Sequence, residues 1–113
     1  MTTAKLAEKK CQPCEGDVPP LNSEQVSSML KELPGWGYAE GAIEKTFRFK
    51  NFYETMAFAN AVAWIANRQD HHPDMQLGYS RCMVRYSTHA INGLSENDFI
   101  CAAKIEELVR DKQ

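Results

Sequence analysis

Residues 36–66 read WGYAEGAIEKTFRFKNFYETMAFANAVAWIA, and this stretch decides the fold. Ile43, Phe47 and Phe49 share one parity along an extended run, and Glu40-Gly41 is a turn signal, which together describe a β-hairpin with one face turned inward. Directly after it, Asn51 with Glu54 three positions on forms a helix start, because an Asn side chain accepts from a backbone N–H that the first turn leaves unpaired. Phe52, Met56, Ala59 and Ala63 follow at helical spacing, with Val62 and Ile65 widening the apolar stripe. The many alanines imply close packing against something flat.

The same unit recurs downstream. MQLGYSRCMVRYST (75–88) reads as a second hairpin with its turn near Ser80-Arg81. LSENDF (94–99) then sets Ser95 and Asp98 as a capping box stapled by Leu94 and Phe99, and opens a helix carrying Phe99, Ala102, Ala103, Ile105 and Leu108. Upstream, LNSEQV (21–26) offers Asn22 and Gln25 in the same roles, and Pro34-Gly35 stops that first helix. The predicted order is α-β-β-α-β-β-α, an α+β fold in which three helices cover one face of a four-stranded antiparallel sheet. Residues 1–20, which include QPCEGDVPP, are expected to form an extended lead-in to a single domain over 21–113. An open sheet leaves edges, and pairing them between subunits removes them, so a homodimer or homotetramer is expected.

Composition narrows the function. A chain of 113 residues, 43% hydrophobic and 25% charged, suits one globular domain. Its net charge of -2, without a Lys/Arg cluster, argues against nucleic acid as a direct partner. No apolar run is long enough for a membrane span, and MTTAKLAEKKCQPC lacks the apolar core of a secretory signal, so a cytoplasmic location with reduced cysteines is expected. Cys11 and Cys14 form CQPC without the second pair of a zinc site or a thioredoxin-like context, which leaves an incidental pair, a metal scavenger or a half-site completed by a second subunit. Cys82 and Cys101 stand alone, and Cys82 reads as a small buried strand residue.

Three histidines remain, two of them adjacent in DHHP (70–73) and the third ending RYSTH (85–89). His71 and His72 are expected in a loop fixed by Pro73, His89 at the end of the last strand, and the two places can meet at one rim of the sheet. A metal site is not demanded, since His71 and His72 lack the i, i+4 spacing of a helical ligand pair and point apart on an extended chain. Acid/base chemistry needs only imidazoles that titrate near neutral pH.

HHP, with Tyr79, His89 and Asp98 at their spacings, together with LPGW, KTFRFKNFYETMAFANAVA, STH and GLSENDF, resembles the pterin-4a-carbinolamine dehydratases over about Leu21 to Leu108. The resemblance implies loss of water from a 4a-hydroxytetrahydropterin to give the quinonoid dihydropterin, with no cofactor, in the recycling of the pterin used by an aromatic amino acid hydroxylase such as phenylalanine hydroxylase. It implies that Asp70, His71, His72, Ser87, Thr88, His89 and Ala90 line the pterin pocket. His71 and His89 would transfer protons, His72 would hold and polarise the ring, and no residue would bind a metal. Asp98 is explained by the Ser95 box without catalysis. Asn67 and Met75 depart from the family pattern, removing a charge that tunes a histidine and an aromatic wall. A non-catalytic dimerisation or coactivator-type binding module is the alternative that the resemblance also implies.

Overall fold

A computed structural model describes residues 3–13 and 19–110. Its elements run α1 (Thr3–Glu8), α2 (Ser23–Leu30), β1 (Gly37–Ala39), β2 (Ala42–Arg48), α3 (Phe52–Gln69), β3 (Asp74–Leu77), β4 (Arg81–Tyr86) and α4 (Glu96–Val109), with a 3-10 turn at His89–Ile91. The four strands form one antiparallel sheet in the order β1-β2-β4-β3. Each hairpin therefore places its longer strand in the centre, where Ile43 pairs with Tyr86 and Phe47 with Cys82.

One face of the sheet is dry. Ile43, Phe47, Cys82, Val84 and Tyr86 point from it into a core completed by Phe58, Val62 and Ile65 of α3 and by Phe99, Ala102, Ala103 and Ile105 of α4. The other face is polar and carries the Arg85–Glu44 ion pair at 2.6 Å. The first hairpin turns where expected, with Glu40 at φ 48° and Gly41 at φ 80°, the doubly left-handed conformation that matches the twist of a two-residue hairpin. The second turns slightly earlier than expected, over Gly78 to Ser80, where the Gly78 N–H donates to the Arg81 carbonyl at 2.9 Å.

The predicted caps form. Asn22 and Gln25 exchange two 2.9 Å bonds, and the Glu54 N–H donates to Asn51 Oδ1 at 2.8 Å. Three expectations need correction. Residues 1–20 do not form an extended lead-in throughout, because Thr3–Glu8 is helical and buries Leu6 as α1 packs on α4. The buried stripe of α3 is Thr55, Phe58, Ala59, Val62, Ile65 and Ala66, whereas Phe52 and Ala63 are exposed. On α4, Ile100 and Cys101 join the core because α1 covers that flank, while Leu108 lies beyond it and is exposed.

Candidate active site

The histidine pair is delivered by the way α3 stops. Asp70 sits in the left-handed region at φ 52°, ψ 44°, its N–H donates to the Asn67 carbonyl, and the next N–H, that of His71, donates to the Ala66 carbonyl at 3.1 Å. This is the Schellman arrangement, which pairs the last carbonyls of a helix and turns the chain sharply. It aims His71 back toward α4 rather than onward along the helix axis.

There His71 Nε2 meets Asp98 Oδ1 at 2.5 Å, and its ring stacks on Tyr86 with centroids 5.4 Å apart. Asp98 is fully buried and the His71 side chain is 13% exposed, so the pair is shielded on one side and reachable from the other. The second carboxylate oxygen, Oδ2, accepts from Thr88 Oγ1 at 2.8 Å and from the Ser95 N–H at 3.0 Å. Asp98 thus closes the cap of α4 and orients a histidine at once. Burial alone pushes the His71 imidazole toward its neutral form, but the hydrogen bond and charge of Asp98, with smaller help from Cys11 and Asp70, reverse this and leave its pKa raised.

The sequence-predicted site residues gather around one cleft of about 500 Å³, lined by Asp70, His71 and His72 from the end of α3 and by Ser87, Thr88, His89 and Ala90 from the segment after β4. His89 is exposed and opens the 3-10 turn instead of ending a strand. The Thr88 hydroxyl is committed inward, to Asp98 and to Ser95 Oγ at 2.8 Å, so its backbone is what it offers the cleft. His72 is exposed, and Asn67 Oδ1 lies 3.3 Å from its Nε2, so the uncharged residue at position 67 still gives that imidazole a partner. Met75 packs against the core and is not among the residues that line the cleft. Tyr79 is also remote from it, stacked on Phe52 at the far end of the sheet.

Sequence reasoning missed part of the cleft. Cys11, Gln12 and Pro13 line it too. Asn97 holds this arm by accepting from the Gln12 N–H at 2.9 Å and donating to the Gln12 carbonyl at 2.5 Å, while Gln69 Oε1 accepts from the Cys11 N–H at 2.9 Å. These contacts join residues more than fifty positions apart, and no local pattern announces them. Cys14 of the CQPC motif lies outside the described residues. Among the described residues, no three His, Cys, Asp or Glu side chains converge as a metal-holding group. A second groove, of about 360 Å³, runs along α2 between Pro20 and Leu94 and carries no histidine, cysteine or carboxylate.

The sequence, and the open four-stranded antiparallel sheet with helices on one face, have known counterparts. The family model described as pterin 4 alpha carbinolamine dehydratase matches residues 19–108. Proteins provisionally named pterin-4-alpha-carbinolamine dehydratase are 59% identical over 107 residues in Nitrosospira multiformis, covering 95% of each chain, and 60% identical over 105 residues in Nitrosomonas eutropha, covering 92% of this chain and 93% of the relative. The crystal structure of a transcriptional coactivator/pterin dehydratase from Brucella melitensis superposes with a TM-score of 0.76 at 32% identity, over 79% of this chain and 97% of that one. The chain belongs to the pterin-4-alpha-carbinolamine dehydratase family.

Proposed function

We propose that the cleft removes water from a 4a-hydroxytetrahydropterin by histidine acid/base catalysis. The observation that carries this reading is the His71–Asp98 pair at 2.5 Å, a shielded imidazole of raised proton affinity beside two further histidines in one cleft. Breaking the C4a–O bond as hydroxide is costly unless the leaving oxygen receives a proton, and forming the C4a=N5 bond requires loss of the N5 proton. Because His71 Nε2 is occupied by Asp98, the proton it donates leaves from Nδ1. In this reading His89 accepts the N5 proton, His72 holds and polarises the ring, and backbone groups of Ser87 to Ala90 with Asp70 bind its polar edge. The products are water and the quinonoid dihydropterin; the proton returns from His89 to His71 through solvent.

A hydroxylase that uses a tetrahydropterin, of the phenylalanine hydroxylase type, would supply this substrate. The unpaired outer edges of β1 and β3 support work as a homodimer or homotetramer. The test is the rate at which freshly generated 4a-hydroxytetrahydropterin loses water, followed by ultraviolet absorbance with chelator present. Wild type should accelerate it, and His71→Gln and His89→Ala should each lose on the order of 10² or more of that acceleration. No acceleration by wild type over buffer would remove the catalytic reading in favour of a dimerisation or coactivator-type role.

A further inference from the structure

The N-terminal arm, which precedes the family match over residues 19–108, brings Cys11 against Cys101 of α4, a residue inside that match. Cys11 Sγ lies 3.4 Å from Cys101 Sγ and 3.7 Å from the Asn97 carbonyl. The two differ in access. Cys11 is partly exposed and lines the cleft, whereas Cys101 is fully buried in α4. The backbone on either side of Cys11 is held by Gln69 and Asn97, so the sulfur is fixed toward Cys101.

We propose that Cys11 and Cys101 are an oxidisable pair, Cys11 reacting with a peroxide that enters the cleft and Cys101 resolving it to a disulfide that locks the arm onto α4. In the first step the Cys11 thiolate attacks one peroxide oxygen and the O–O bond breaks. Cys11 is oxidised to a sulfenic acid, and the departing hydroxide takes a solvent proton to become water. In the second step Cys101 sulfur attacks Cys11 sulfur and the S–O bond breaks. Hydroxide leaves with the Cys101 proton as a second water, and the S–S bond forms. A thiol reductant reverses the linkage.

The electrostatics support this order of events. The hydrogen bond from Cys101, aided by the positive influence of His71 and Lys104, outweighs burial and holds the Cys11 thiol below its ordinary pKa, which favours the nucleophilic thiolate. The Cys101 thiol is pushed strongly upward by the same bond and by burial, so of the two sulfurs Cys11 is the one poised to react first. The sulfurs, 3.4 Å apart, would close to a bond of about 2.05 Å.

The experiment treats the reduced 113-residue chain with one equivalent of hydrogen peroxide, then maps disulfides by mass spectrometry without reduction. Cys14→Ser is run beside wild type to remove the competing CQPC partner. Expected are a mass loss of about 2 Da for the oxidised chain, a crosslinked peptide containing Cys11 and Cys101 in both proteins, and at least about tenfold slower hydrogen exchange of the Gln12 amide. In the double variant Cys14→Ser, Cys101→Ala, Cys11 should stop at a sulfenic acid that a cyclic diketone traps. A wild-type linkage of Cys11 to Cys14 alone, or a Cys101 that remains fully alkylatable after peroxide and unfolding, overturns the proposal. None of these readouts depends on pterin turnover.

Discussion

Asp98→Asn is the most informative single change, because it keeps the shape of the side chain and alters one hydrogen-bonding group. In the wild type, both carboxylate oxygens accept: one from His71, the other from the Thr88 hydroxyl and the Ser95 N–H. An asparagine has only one accepting atom. The Ser95 N–H cannot change from donor to acceptor, so the amide oxygen is drawn to that side and the NH₂ is left facing His71 Nε2. His71 must then accept at Nε2 and carry its proton on Nδ1 as a neutral ring, losing the partner that raised its proton affinity. A buried carboxylate at hydrogen-bond distance favours the charged imidazole, so without it the burial of His71 is unopposed and its pKa should fall. Loss of the charge-assisted bond should also cost about 1.5 to 3 kcal/mol of stability at a pH where His71 is protonated. The imidazole titration is followed by nitrogen-proton NMR, with His71→Gln supplying the assignment, and the dehydration rate is measured on the same samples. A kcat lowered on the order of 10² to 10⁴ with KM little changed is expected. A His71 pKa within a few tenths of the wild-type value would refute the claim that Asp98 sets its charge.

Three further changes test other parts of the structure. Because the His71 pKa is raised in the folded state, its stabilisation relative to His71→Gln should be fully present below about pH 6.5 and lost as pH rises through the folded value; urea unfolding of both proteins at pH 5.5, 7 and 9 checks the sign, and an advantage that grows with pH would contradict it. Gly93→Ala places a Cβ 2.7 Å from Pro20 Cβ, and with the neighbouring chain pinned by the Leu21 N–H to Leu94 carbonyl bond at 2.8 Å it should cost about 1 to 3 kcal/mol, partly recovered by Pro20→Gly, in urea denaturation. Asp70→Gly relieves a left-handed non-glycine residue and should leave stability within about 1 kcal/mol of wild type or above it. A raised pterin KM in that variant would assign Asp70 a binding role beyond the turn, and an unchanged KM would confine it to the turn.

Most of the fold was legible because its signals are local. The caps at Asn22, Asn51 and Ser95 and the turn at Glu40-Gly41 each need only a few neighbouring residues, and all of them form. What escaped is non-local. Helix α1 has six residues, too few to be stable alone, and exists by burying Leu6 against α4. The α3 stripe was mis-phased because Ala and aromatic residues occur all round that helix, so two adjacent faces satisfy the same spacing. Asp98 shows how a correct local reading conceals a second role: the Ser95 cap accounts for one oxygen, and the partner of the other lies 27 residues away. The histidines were found because residue type alone marks them, whereas the wall built from Cys11 to Pro13 depends on Asn97 and Gln69 and has no marker of its own.

The strand order gives the two sides of the cleft unequal stiffness. The segment from Ser87 to Ala90 leaves β4, a strand paired on both sides, and is tied again by the Thr88–Gly93 bridge. The side bearing His71 and His72 leads into β3, which has four residues and, among the described residues, pairs only with β4. Edge strands of that length open at lower free energy than central ones. One jaw of the cleft is therefore fixed and the other compliant, and the bond from His71 to Asp98 is the strut that limits how far the compliant jaw can swing.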